Sequence, residues 1–252
     1  MDPTSEDLPS QVIRRGVAEL AARYDLPDGA AGQLQTLARL LADPRAPSAL
    51  RDPRRILEDH LADSLVALEL GCVQQATAAV DIGSGAGLPG LPLAIALPSC
   101  SFVLLESSVR KCSFLRQAVE VCSAANVKVV HDRAEEWEDG LGRLDLALVR
   151  AVGRLDVVLE YAAPLLRVGG SVVVWRGQRD PEAEVQAEIA ADLLGFQVDL
   201  PEPVAPYAGV RHRHLHLFSK VRDTPPEFPR RPGQAAKRPL GGARESHRRC
   251  AR

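Results

Sequence analysis

Asp81-Ile82-Gly83-Ser84-Gly85-Ala86-Gly87-Leu88-Pro89-Gly90 is the stretch that decides how this chain folds. It follows a short apolar run, 79–82, and opens onto a second apolar segment, 88–97, of helical character. Glycines at such a junction let the backbone turn tightly and approach a ligand, while the helix behind them offers unpaired amides. Two patterns overlap here. Gly85, Gly87 and Gly90 satisfy GxGxxG, the dinucleotide pattern, whereas Asp81, Gly83, Gly85 and Gly87 satisfy the acidic-x-GxGxG pattern of S-adenosylmethionine enzymes. Glu106, 23 residues beyond Gly83 at the end of the next apolar run, suits the ribose of either cofactor. Charge separates the two: Asp81 beside the cradle repels a pyrophosphate and attracts the ammonium end of a methionine moiety, so S-adenosylmethionine is the expected cofactor. Asp132-Arg133-Ala134-Glu135 follows the third apolar run, where an adenine lies at the carboxyl edge of a parallel sheet.

Outward from this loop, apolar runs alternate with amphipathic segments, as in a parallel sheet flanked by helices. The pattern predicts strands at 79–82, 101–106, 127–131, 144–149 and 171–175, with helices at 88–97, 108–123, 153–167 and 181–194. Gly169-Gly170 and Gly195 are expected helix ends. Two final strands, 196–200 and 212–221, have no helix between them and predict an antiparallel hairpin. Upstream, Ile13, Val17, Leu20 and Tyr24, then Leu34, Leu37 and Leu41, mark helices. A further helix starts with Asp52 as N-cap and Pro53 at its first position, and carries Leu57, Leu61, Leu65 and Leu68 as its stripe. The expected architecture is α/β: a class I S-adenosylmethionine-dependent methyltransferase fold, Rossmann-like, with a mostly parallel sheet, a terminal antiparallel strand and an N-terminal helical extension. The divisions are 1–75 for the extension, 76–224 for the methyltransferase domain and 225–252 for a basic Pro/Gly-rich tail.

The net charge of the 252 residues is −2, which excludes nonspecific nucleic-acid binding over the whole surface. It is unevenly spread. Residues 229–252 carry eight arginines and lysines against one acid, Glu245, for a charge of +7, leaving −9 on 1–228. Such a tail reads as an extended arm for RNA phosphates, with Arg230, Arg231, Lys237 and Arg238 as contacts. Aromatic residues are only 4%, which disfavours base stacking. Five cysteines without a CxxC pair, Cys72, Cys100, Cys112, Cys122 and Cys250, read as free thiols of a cytoplasmic protein. The acidic Met1–Ser10 is no signal peptide, and the uncharged stretch 82–105 holds too many glycines and prolines to span a membrane. His212, His214 and His216 alternate on the last strand without an acidic or cysteine partner, so no metal is expected.

Together these stretches resemble the RsmG (GidB) family, the 16S rRNA guanine-N7 methyltransferases. The likeness runs from about Leu50 to Leu240: Arg51-Asp52-Pro53, Ile56-Leu57, His60-Leu61-Ala62-Asp63-Ser64-Leu65, DIGSGAGLPGLPLAI (81–95), Lys111 with Phe114-Leu115-Arg116, Arg133-Ala134-Glu135-Glu136, Arg150-Ala151-Val152, and the tail motifs Phe228-Pro229-Arg230-Arg231-Pro232-Gly233 and Lys237-Arg238-Pro239-Leu240. The resemblance implies that Gly83 and Leu88 contact the cofactor, that Ala134 and Glu135 hold its adenine side, that Glu106 meets the ribose, and that Arg150 closes the pocket. It also implies N7 of a guanine in the 530 loop of 16S rRNA as target, with 16S rRNA or the 30S subunit as partner. The family usually shows Trp-Asn and then Asn-Leu-Thr where this chain reads Leu41-Ala42 and Ala46-Pro47-Ser48.

Methylation at N7 needs alignment more than proton transfer, because N7 already presents a lone pair. Accordingly there is no (D/N)PPY motif for exocyclic amines and no Pro-Cys site for carbon-5 chemistry; Cys100 follows Ser99. His60 and Asp63, at i and i+3, are the catalytic candidates, expected to pair on one helix face and order the methionine end or the incoming base. The rival readings are a small-molecule methyltransferase, a noncatalytic RNA- or ribosome-binding factor that retains the fold, and last an NAD(P) oxidoreductase.

Overall fold

A computed structural model of the chain describes residues 8–242. Expectations for Met1–Ser10 fall largely outside the described residues, as do those for Arg244, Arg248, Arg249, Cys250 and Arg252. Strands β1 (Ala78–Ile82), β2 (Ser101–Glu106), β3 (Val127–His131), β4 (Leu144–Arg150) and β5 (Leu166–Arg176) run parallel in the order β3-β2-β1-β4-β5. β6 (Phe196–Val198), β7 (Glu202–Pro203) and β8 (His214–Lys220) complete the sheet. β8 lies antiparallel between β5 and β6, and β7 pairs with its first residues. The last strand in sequence is thus internal to the sheet, and the expected hairpin is formed by β6 and β8.

Both faces of the sheet are covered, and each strand's side chains divide between them with period two. Ala79, Leu146, Leu148, Val173 and Trp175 join one core with the N-terminal helices. Val80, Ile82, Ala147, Val149, Val172 and Val174 join the other. The first core is roofed by α1 (Leu8–Arg23), α2 (Ala30–Ala42) and a composite helix over 53–69. That helix begins as α3 (Pro53–Arg55), widens into a π-helix at Ile56–Ala62, and continues through α4 (Asp63–Leu65) into a 3-10 turn at Val66–Glu69. Asp52 caps it as expected, accepting the Arg55 N–H at 2.9 Å. α5 (Gly71–Gln74) leads into β1, and α6 (Gly90–Ala96) and α7 (Val109–Val121) pack beneath the roof. Leu34, Leu37, Leu41, Leu61 and Leu65 are all fully buried there, as are Cys112 and Leu115. The extension therefore shares one continuous core with the domain.

α8 (Leu155–Ala162) and α9 (Pro181–Leu194) cover the opposite face. Gly195 ends α9 in the left-handed region, φ 86°. The Gly169-Gly170 reading is corrected: α8 gives way to a 3-10 turn at Ala163–Leu165, and β5 already starts at Leu166. Gly169, at φ 88°, lies inside β5 where its register against β4 shifts, so it serves an irregularity in the strand.

The extended arm is corrected as well. Residues 228–242 lie against the second core, with Phe228 and Leu240 packed on it and α10 (Gln234–Lys237) burying Ala235. Their apolar anchors outweigh the loss of chain entropy that the proline- and glycine-rich composition suggested would keep them apart.

Candidate active site

The glycine loop joins β1 to α6 at the carboxyl edge of the sheet. Gly83 and Ser84 donate their N–H groups to the Leu105 carbonyl at 2.8 and 3.2 Å, which ties the loop to β2. Two glycines show different reasons for lacking a side chain. A Cβ at Gly90 would stand 2.6 Å from Leu104 Cδ2 and 2.7 Å from Asp81 Cβ, so this position is a close approach. Gly85, at φ 58°, would meet nothing nearer than the Gly83 carbonyl at 3.8 Å, so it fronts open space.

Asp81 does not stand in that space. Its Oδ2 accepts the Gly90 N–H at 2.9 Å, its Oδ1 is buried without a partner, and the residue is 1% exposed. Burial pushes its carboxyl up to about 7, against the pull of the Gly90 N–H and the Arg150 charge. The expectation of a carboxylate beside an ammonium group is corrected to a carboxyl under the loop that fastens the start of α6. Glu106 is also buried; its oxygens accept the Gly85 N–H at 3.0 Å and the Ser108 N–H at 2.9 Å, with Lys111 Nζ 3.8 Å away. It shapes the loop's floor directly.

Two cavities meet at Gly83. One, of about 170 Å³, is lined by Gly83, Ser107, Asp132, Arg133, Ala134, Glu135, Val152 and Tyr161. The other, of about 260 Å³, is lined by Ser48, His60, Gly83, Gly85, Leu88, Lys111, Arg150 and Ala151, among others. The structure thus brings Gly83, Gly85, Leu88, Ala134, Glu135, Arg150 and His60 to one edge. Ala151 follows Arg150 at φ 58°, a left-handed conformation uncommon outside glycine, which costs about 1–2 kcal/mol.

The pairing of His60 with Asp63 is corrected. In an α-helix, residues three apart share a face. Across the π-helical turn they diverge. His60, 9% exposed, places Nε2 2.8 Å from Ser48 Oγ, which also accepts the Leu50 N–H at 3.2 Å; its Nδ1 is buried without a partner. Burial and the nearby Arg150 charge both lower its pKa, so the imidazole stays neutral at physiological pH. Asp63 instead joins two arginines, with Oδ2 2.9 Å from Arg150 Nη1 and Oδ1 2.7 Å from Arg213 Nε. Arg150 Nη1 also donates to the Asp59 carbonyl at 3.1 Å, and Trp175 Nε1 donates to the Asp63 carbonyl at 2.6 Å. The carboxylate that sequence offered as catalytic is a buried anchor behind the pocket wall.

Ser48, Ser107, Tyr161 and Arg213 were not singled out from sequence. Only Ser48 carried a signal, since it stands where the family shows the threonine of Asn-Leu-Thr. Of the tail basics, Arg230 is half-buried and turned onto the buried Glu160, whereas Arg231, Lys237 and Arg238 are exposed. His216 is buried 3.9 Å from Glu184, and burial pushes its pKa down to about 4. Among the described residues no His, Cys, Asp and Glu cluster fits a metal, and no helix is long and apolar enough to cross a membrane.

A parallel sheet in this order, with an antiparallel β8 inserted beside β5 and a glycine loop after β1, defines the class I S-adenosylmethionine-dependent methyltransferase fold. A solved S-adenosylmethionine-dependent methyltransferase from Aquifex aeolicus matches it with a TM-score of 0.53 at 15% identity, covering 73% of this chain and 97% of that one. The methyltransferase SibL, in its apo form, gives 0.53 at 13% identity over 83% and 74%. The family model for rRNA small subunit methyltransferase G, GidB, matches residues 35–202. Curated relatives named ribosomal RNA small subunit methyltransferase G include one from Rubrobacter xylanophilus, 41% identical over 83% of both chains. Another, from Chloroflexus aggregans, is 39% identical over 77% of this chain and 82% of its own. The chain belongs to this methyltransferase family, and its cofactor is S-adenosylmethionine. The open space over Gly85 and the paired cavities sharing Gly83 fit a ligand with two arms.

Proposed function

We propose that this chain methylates N7 of a guanine in the 530 loop of 16S rRNA, acting on the rRNA or on the 30S subunit in the cytoplasm. The observation that carries the reading is the family match over 35–202, which spans the glycine loop, both cavities and the His60 helix. Ala134 and Glu135 would hold the adenine side, Gly83, Gly85 and Leu88 the centre, and Glu106 would meet the ribose or brace the loop. Arg150, fixed by Asp63, closes the other cavity. When bound, S-adenosylmethionine supplies a methyl group already activated on a sulfonium.

The protein's own work is then alignment and charge. A purine N7 attacks with its lone pair, so no residue needs to remove a proton first. The ring becomes cationic as the bond forms, and in a cavity that already holds Lys111 and Arg150 an uncharged side chain opposes this less than a further positive one. His60 meets that requirement: burial and Arg150 keep it uncharged, and Ser48 fixes its plane. The serine that replaces the family's threonine still delivers the hydroxyl.

The test is to incubate the protein with labelled cofactor and unmethylated 16S rRNA or 30S subunits, then to map 7-methylguanine by borohydride and aniline cleavage. One labelled guanine in the 530 loop is expected. Absence of transfer to RNA would refute the reading and leave a noncatalytic binding factor ahead.

A further inference from the structure

The adenine-side cavity touches a part of the chain far away in sequence. Glu135, which lines it, accepts a hydrogen bond at 3.0 Å from the backbone N–H of Gly233, a residue of the C-terminal segment held at φ 76°. The segment is pinned on either side of this contact by one side chain. Arg230 spans Glu160 in a two-pronged pair, Nε to Oε1 at 2.7 Å and Nη2 to Oε2 at 2.5 Å, and Nη2 also donates to the Arg238 carbonyl at 3.0 Å. Glu160 is 1% exposed and sits on α8 next to Tyr161, another residue of the same cavity wall. Phe228 and Leu240 pack at the two ends, and a Cβ at Gly241 would fall 2.2 Å from the Gln186 carbonyl, so the segment is seated closely on α9.

We infer that residues 228–242 form a strap that positions Glu135 at the cofactor pocket, with Arg230 as the positioning residue. This rests on the reading that Glu135 holds the adenine side. A solubility tail has no use for an arginine clamped onto a buried carboxylate, because burying the Glu160 charge is unfavourable unless a partner in good geometry and further hydrogen bonds compensate. Here both prongs and the Arg238 carbonyl provide that compensation, and the ordered product is a single N–H aimed at a pocket carboxylate. The basic motif therefore divides its work: Arg230 faces inward to set the pocket, while Arg231, Lys237 and Arg238 remain exposed.

The test is a cycle of S-adenosylhomocysteine affinities on the full chain by isothermal titration. Four proteins are compared: wild type, Glu135→Ala, Arg230→Gln with Glu160→Gln, and all three changes together. The paired change removes both charges at once and leaves none buried alone. It is expected to weaken binding about five-fold, the effect of one hydrogen bond, with kcat at saturating cofactor unchanged. Added to Glu135→Ala, it should weaken binding no further. Full additivity in the Glu135→Ala background, or unaltered affinity in the paired variant while Glu135→Ala binds weakly, would overturn the strap. Unaltered affinity in Glu135→Ala itself would overturn the assignment of Glu135 and the strap with it. If the paired variant does not fold, Arg230→Lys keeps the charge but loses the two-pronged geometry, and serves the same comparison.

Discussion

Replacing Asp63 with alanine tests the anchor behind the pocket. The carboxylate is 5% exposed and both its oxygens are engaged, one by Arg150 at 2.9 Å and one by Arg213 at 2.7 Å. Removing one partner of a buried pair generally costs about 3–5 kcal/mol, because a charge is left without compensation. Arg213, with 30% of its side chain exposed, can turn to water, whereas Arg150, at 16%, keeps only the Asp59 carbonyl, so the lower end applies, about 3 kcal/mol. For a protein of this size each kcal/mol moves the melting temperature by about 2–4 °C, so calorimetry should find a drop of about 6–12 °C. At 25 °C, where the variant remains folded, S-adenosylhomocysteine affinity should also fall, since Arg150 loses the contact that fixes it in the cavity wall. Asp63→Asn should resemble alanine more than wild type, because its amide NH₂ must face a guanidinium. A melting temperature within about 2 °C of wild type would refute the energetic reasoning. A large drop with unchanged affinity would refute the positioning of Arg150 while leaving the ion pairs intact.

Asp81→Asn should change how stability depends on pH. An aspartate ordinarily titrating at 3.8 but raised to about 7 in the fold is protonated in the native state while ionised in the unfolded chain, so stability falls as pH rises between those values. From pH 5 to pH 8 the variant should gain about 3 kcal/mol on wild type in urea unfolding; an identical gap at both pH values would rule out proton uptake at this residue. Gly90→Ala should destabilise by about 1–3 kcal/mol through overpacking against Leu104 and Asp81, whereas Gly85→Ala should cost only about 1–2 kcal/mol but place a methyl in the cavity and weaken cofactor binding. Equal binding losses in these two variants would contradict the roles given to the two glycines. Changing Arg231, Lys237 and Arg238 together to glutamine should lower the slope of log affinity for rRNA against log salt by about 2, measured by filter binding; an unaltered slope would show that these charges do not meet phosphate.

The fold was legible because burial on two faces leaves a strong mark on composition. Runs such as Val-Leu-Leu at 103–105 and Val-Val-Val at 172–174 belong to strands covered on both sides, and the punctuation between them was local: Asp52-Pro53 at a helix start, Gly195 at a helix end. Gly169-Gly170 misled because glycine announces a special backbone conformation without saying which element contains it. Only the register between β4 and β5, a long-range property, shows that the conformation belongs to a strand.

The site was legible in position but less so in polarity of contact. Sequence places Asp81, Glu106, His60 and Asp63 near the carboxyl edge, and all four are there; which way each side chain turns depends on partners that sequence separation conceals. Asp63 meets arginines 87 and 150 residues away, and Glu135 meets an amide 98 residues away. The π-helical turn adds a second reason. One extra residue per turn breaks the three-and-four spacing from which a His60–Asp63 pair was inferred, and no residue type in Ile56–Ala62 demands it. The same logic bears on the tail. Net charge identified a basic segment, yet charge alone does not distinguish an arginine that reaches for phosphate from one that closes on a buried glutamate. Phe228 and Leu240, the apolar residues flanking Arg230 and its neighbours, anchor the segment on the domain, and two isolated apolar residues among prolines, glycines and charges leave no periodic pattern that would announce this in sequence.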